Sequence, residues 1–151
     1  TVDDPGRRVA VRAAFALAKA EALAAEPGDR AGLYAALKLA GLDEAPAQLA
    51  VFADRGTGVG HGLGRRTMPE MAEYSAVGAV MTMWLVARAE GIGMGWVSIL
   101  DPAAVHAALD VPADWRLIGY FCLGYPDADD DVPALERAGW EQRQSTPIIR
   151  R

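Results

Sequence analysis

Between Gly78 and Ala89 only Thr82 and Arg88 are polar, and the run free of proline continues back to Met71 and on to Glu90. Few folds accommodate such a segment. Its residue types and spacing predict an α-helix from Thr67 to Glu90, about 34 Å long at 1.5 Å per residue, stopped by Gly91. Thr67 and Glu70 stand at the spacing of a capping box, and Pro69 is tolerated in a first turn. A helix without a polar face has to be covered on several sides. In a chain of 151 residues that means a central helix or one packed against a second copy. The apolar stretch Val77 to Ala87 is too short for a bilayer span, which takes about 20 residues.

The neighbouring segments supply the cover. Arg7 to Ala25 is alanine-rich, with Val11, Phe15, Ala18 and Ala22 on one helical face, and Pro27-Gly28 ends it. Asp29 can cap a second helix that carries Leu33, Tyr34 and Leu37 and stops at Gly41. Pro46 to Ala53 reads as a short buried strand, Gly93 to Leu100 as another, and Trp115 to Leu123 as the clearest of the three. Asp101 and Pro102 fit the cap and first position of a short helix through Leu109. The resulting order is helix, helix, strand, long helix, strand, helix, strand. It predicts one α+β domain over residues 1–151, with no internal repeat and no interdomain linker.

Glycine occupies Gly56, Gly58, Gly60, Gly62 and Gly64, and Arg65-Arg66 follow. That much glycine leaves the backbone little restricted and excludes a regular strand, so the segment reads as a flap. It is not a nucleotide loop. A dinucleotide fingerprint requires a third glycine where this chain has His61 or Arg65, and no lysine stands at the phosphate-loop position.

Other chemistries fail on similar grounds. Asp127, Asp129 and Asp131 copy the start of a calcium loop, but Val132 replaces the needed glycine and Ala138 the bidentate glutamate. His61 and His106 lack a third His or Cys ligand, so no metal site is expected. Neither Ser75 nor Ser98 lies in a hydrolase elbow. The lone Cys122 sits in an apolar run, which predicts a buried small hydrophobe rather than a nucleophile. Hydrophobic residues make 52% and charged residues 23%, an ordinary globular balance. With net charge −5 and basic residues scattered, paired only at Arg7-Arg8, Arg65-Arg66 and Arg150-Arg151, nucleic-acid binding has no support. The chain opens at Thr1 without a methionine, and Thr1 to Arg8 is too polar for a signal peptide, so a cytoplasmic location is expected.

Three strings go further. They are Gly62-Leu63-Gly64-Arg65-Arg66-Thr67-Met68-Pro69-Glu70-Met71 with Tyr74-Ser75, then Ala87 to Gly93 followed by Gly95-Trp96-Val97-Ser98-Ile99-Leu100-Asp101-Pro102, and Leu123-Gly124-Tyr125-Pro126. Together they resemble the signature of the 5,6-dimethylbenzimidazole synthases, a nitroreductase-like flavoprotein family, and the similarity runs from about Val11 to Arg143. The resemblance implies the FMN-dependent nitroreductase fold: a mixed sheet flanked by helices, with a long central helix at the interface of a homodimer. It implies oxygen-dependent fragmentation of reduced FMN to 5,6-dimethylbenzimidazole, the lower ligand of cobalamin, with electrons from a flavin reductase or NAD(P)H. The alternatives are a general FMN-dependent NAD(P)H nitro or quinone reductase and a truncated non-catalytic paralogue.

Residue roles carry over by position. Ser98 is implied as the catalytic residue beside the isoalloxazine, where a small hydroxyl donates or accepts without carrying charge. Leu39 matches a flavin-contacting position, although taken alone it is equally a core leucine. Arg143 matches a basic residue that pairs with the FMN phosphate, a role its planar fork suits. Gly60, Gly62, Gly64, Arg65 and Arg66 would form a lid, and solvated loop charges are the other reading of the two arginines. The family's N-terminal segment, with an arginine cluster, a serine-containing loop and a functional aspartate, has no counterpart here. Glu141 and Gln142 replace its basic partner beside Arg143.

Overall fold

A computed structural model describes residues 1–26, 28, 30–36, 40–128 and 130–149. Helix α1 spans Pro5–Ala25, α2 Arg30–Ala36 and α3 Gly41–Glu44; strand β1 covers Ala47–Asp54, helix α4 Met71–Ala89, and strand β2 Gly93–Val97. Helix α5 then runs Pro102–Leu109, strand β3 Trp115–Gly124, and a single turn of helix, α6, Ala134–Arg137. The expected order holds, with α3 and α6 added as one-turn helices too short to leave a periodicity. Pro27, named above at the end of the first helix, and Asp29 and Leu37, named for the second, lie outside the described residues, as does Asp129.

The sheet has the order β1-β3-β2, so the last strand in sequence is the middle one. Both pairings are antiparallel, where the resemblance implied a mixed sheet; the described strands contain no parallel pair. A bulge falls between Val51 and Phe52, whose partners are Gly119 and Leu117, leaving Ile118 as the extra residue. Tyr120 and Phe121 are fully buried although adjacent, because successive side chains leave a strand on opposite faces.

Each face carries its own core. On one, Val11 and Phe15 of α1, Leu42 of α3 and Val105 of α5 pack on Tyr120, Cys122 and Val97. On the other, Val80 of α4 packs on Phe121 and Met94, with Trp84 and Trp96 alongside. Burying each such side chain contributes roughly 1.5–3 kcal/mol. Two helices begin as their sequences require. The Asp4 carboxylate accepts from the Arg7 amide at 2.8 Å with Pro5 at the first position, and Asp101 accepts from the Ala103 and Ala104 amides ahead of α5.

The long helix departs from expectation at its start. It begins at Met71, and Glu70 makes no side-chain cap. Instead the Thr67 hydroxyl donates 3.2 Å to the Gly64 carbonyl, which also receives the Met68 amide at 2.9 Å. Thr67 therefore closes the turns leaving the flap, and no capping box forms. The sheet covers one side of α4 only. Tyr74, Met81, Leu85 and Val86 stay exposed, Leu85 by 67%, so the cover that an all-round apolar helix requires is absent within a single chain.

The flap is built rather than formless. Residues Val59–Gly62 make a short turn in which Gly60, His61 and Gly62 have φ of 75°, 50° and 76°. This left-handed region is where glycine carries no penalty. Arg65 reaches back across the loop, donating to the Thr57 carbonyl at 2.6 Å and the Arg55 carbonyl at 3.3 Å. The Arg55 side chain in turn pairs with Glu73 of α4 at 2.8 Å. The second Glu73 oxygen is buried without a partner among the described residues.

Polar groups inside the first core are satisfied or neutral. The Tyr120 hydroxyl donates to Gln48 Oε1 at 2.5 Å, and the Gln48 amide donates to the Leu42 carbonyl at 3.1 Å. Burial pushes the Tyr120 phenol from 10.0 to about 12 and the Cys122 thiol from 9.0 to about 11. Cys122 is thus the buried, inert thiol its sequence context suggests. Both groups ionise at lower pH in the unfolded chain than in the folded one. Their contribution is complete below about pH 9 and is lost as pH rises to about 12. The urea midpoint should accordingly fall from about pH 8 to about pH 11, and less steeply in Cys122→Ala. An unchanged slope would remove the thiol from the explanation.

Candidate functional site

Ser98 follows the last residue of β2, where the backbone has left the ladder and the hydroxyl is exposed. The expected strand ran on to Leu100. It stops at Val97 because β3, its partner among the described strands, pairs no further toward its own start than Tyr120 on this side. Beside Ser98 opens a cavity of about 580 Å³, within the range of about 300–1,000 Å³ usual for small-molecule sites. Its walls are mainly apolar and aromatic: Trp96, Ile99, Tyr34, Leu135 and Trp140, with Lys19 of α1 as the cation of the lining.

The far wall is held by ring contacts. Tyr34 and Trp140 lie 5.9 Å apart between ring centroids at 51°, and the Arg30 guanidinium sits 4.6 Å over the Trp140 ring. Glu26 pairs with Arg30 at 3.3 Å. Helix α2 and the tail after α6 are thereby joined above the cavity. A planar heteroaromatic ring fits this lining, with the Ser98 hydroxyl available to one polar edge.

The other expected residues fall elsewhere. Arg143 is held by Glu136 at 3.0 Å and by the Asp131 carbonyl at 2.6 Å, and it does not line the cavity. A phosphate at Arg143 would have to displace Glu136. Leu39 lies outside the described residues. Gly60 and Arg65 border a different hollow of about 530 Å³, between the flap and Met71 and Ser75 of α4. Gly62, Gly64 and Arg66 complete the flap without lining either space.

The separation follows from the sheet. Both outer strands run antiparallel to β3, so the flap after β1 and Ser98 after β2 leave the sheet at the same end. They leave it from opposite edges, and their partners on β3, Trp115 and Tyr120, are about 17 Å apart along the strand. One chain therefore does not bring the flap over Ser98. The aromatic wall of Tyr34 and Trp140 was not singled out from the sequence. Trp140 stands three residues before Arg143, an isolated aromatic near the end of the chain with no periodicity around it to mark it.

Among the described residues no group of three or more His, Cys, Asp or Glu could hold a metal ion. No helix is long and apolar enough to cross a membrane.

Comparison with known proteins places these features. Residues 7–125 match the nitroreductase family. The 5,6-dimethylbenzimidazole synthase of Rhodospirillum rubrum is 53% identical over 150 residues, covering 99% of this chain and 71% of that protein. A protein of the same name from Rhodobacter capsulatus is 48% identical, covering 99% of the chain and 72% of its own length. Among solved structures, oxidized iodotyrosine deiodinase bound to FMN and 3-iodo-L-tyrosine superposes with a TM-score of 0.70 at 20% identity, over 99% of this chain and 72% of that one. That likeness concerns the fold. With the family match over most of its length and relatives at this identity, the chain belongs to the nitroreductase family and, within it, to the 5,6-dimethylbenzimidazole synthases.

Proposed function

We propose that this protein converts reduced FMN and molecular oxygen to 5,6-dimethylbenzimidazole, the lower ligand of cobalamin, as one nitroreductase-like domain acting in the cytoplasm. The observation that carries the reading is the identity of 45–53% to synthases of that name across 99% of the chain. The apolar cavity beside Ser98 supports it. Reduced flavin supplies the electrons that activate oxygen, and its ring is also the carbon source of the product. Each turnover consumes one flavin, and a flavin reductase or NAD(P)H supplies the next by reducing FMN.

The chain's own part is to bind, orient and shield. Trp96, Tyr34 and Trp140 offer apolar surface to a ring, and Ser98 gives its edge one neutral donor or acceptor without adding charge. Arg143 is the cation for the phosphate, after release from Glu136. Leu39 adds a flavin contact from the segment after α2. The flap of Gly60, Gly62, Gly64, Arg65 and Arg66 acts as a lid that keeps bulk water away. Since the flap does not reach Ser98 of its own chain, this role belongs in a homodimer that buries the exposed face of α4.

Supplied with reduced FMN in air, the protein should yield 5,6-dimethylbenzimidazole detectable by chromatography with mass detection. Ser98→Ala should lower the yield by about 10²-fold, in the range typical for loss of a group acting at the reacting centre. Nicotinamide consumption with a quinone and no benzimidazole would move the assignment to the general reductase. Arg65→Ala, which frees the Thr57 and Arg55 carbonyls, should release more hydrogen peroxide per product formed while FMN affinity changes less than about threefold. Equal peroxide would sink the lid. Leu85→Glu should shift the sedimenting species from dimer to monomer, because a charge replaces an apolar side chain on that exposed face. A wild-type monomer would remove the interface.

A further inference from the structure

Gly119 stands in the middle of the central strand, where a glycine packs nothing and weakens the sheet. The adjoining bulge does not require it, since Gly119 has no positive φ. Space does. A Cβ built there would lie 2.8 Å from both Cδ1 and Cε2 of Trp96 and closer still to its Nε1. These atoms belong to the pyrrole half of a rigid indole, which cannot yield as the end of a flexible chain does.

The register explains how the two meet. Trp96 pairs directly with Phe121, their ring centroids 5.1 Å apart, and Gly119 is the diagonal neighbour on the same face. The indole leans across the strand into the gap left by the missing side chain. The same Trp96 lines the Ser98 cavity, two residues before the hydroxyl.

We propose that Gly119 is a positioning residue for this cavity: by leaving room for the Trp96 indole on β3, it sets the wall against which a planar heteroaromatic ring binds next to Ser98. Any side chain at Gly119 displaces the indole from this gap and so alters the cavity wall to which Trp96 belongs. The role rests on the flavin reading above, but it concerns ring binding rather than turnover.

The test is a double-mutant cycle of Gly119→Ala and Trp96→Leu, read by titrating FMN against each protein and by the near-ultraviolet circular dichroism of the tryptophans. Gly119→Ala alone should weaken FMN binding at least about tenfold and change the tryptophan signal, with the far-ultraviolet spectrum preserved. In the Trp96→Leu background the same substitution should cost less than about twofold, since the clashing ring is gone. An equal loss in both backgrounds would show that Gly119 acts on the sheet and not through Trp96. No loss in the first would overturn the proposal outright. If Gly119→Ala does not fold, Trp96→Leu alone decides: it must fold and lose FMN affinity, and unaltered affinity overturns the role. Absence of FMN binding by the unmodified protein would instead overturn the flavin reading, and this role with it.

Discussion

The structure depends on one strand being buried from both sides. β3 has a partner along each edge and a helical layer over each face, so Tyr120 and Cys122 point into one core and Phe121 into the other. A strand in that position has no solvent-facing residue to spare, which is why Leu117 to Leu123 is an uninterrupted apolar run apart from Gly119. The hydroxyl of Tyr120 is tolerated there only because Gln48 accepts from it and the Gln48 amide is itself used by Leu42. Three parts of the candidate site are fixed relative to this strand: Trp96 by pairing and close approach, Ser98 by where pairing ends, and the flap by leaving from the opposite edge.

Periodicity and turn chemistry made much of this legible. Asp101-Pro102 is a local signal with a local outcome, and the α5 cap forms as read. The glycine run could not be a strand, and it is not. Thr67 and Glu70 failed for an instructive reason. A capping box competes with any other acceptor within reach of the threonine, and the flap's last turn offers the Gly64 carbonyl first. The α+β class followed from the order of segments, but strand order did not, because nothing local states that the third strand lies between the first two.

The site divides along the same boundary. Ser98 was visible through the string that contains it, and its setting agrees: an exposed hydroxyl at a strand end beside an apolar hollow. The opposite wall was not, because Tyr34 and Trp140 are more than a hundred positions apart and only tertiary packing joins them. Arg143 shows the limit of carrying a role by position. Its guanidinium is engaged by Glu136 of the neighbouring turn, so the same residue serves tail geometry before it serves any ligand. The apolar helix α4 points in the complementary direction. Its sequence required cover that one chain does not supply, and the uncovered face is the physical basis for expecting a second copy.

The middle place of β3 also governs when the protein can form. β1 and β2 do not pair with each other, so among the described residues neither has a strand partner until Trp115 to Gly124 exists, and β1 has only the Val2 amide on its Gln48 carbonyl. About sixty residues separate the end of β1 from the start of β3, and at synthesis rates of about 5–20 residues per second that interval lasts several seconds. During it, the apolar face of α4 and two unpaired strands are exposed together, with only helical contacts available. Closing the β1–β3 pairing then costs loop-closure entropy before its contacts are made, whereas β2 meets β3 across a much shorter loop.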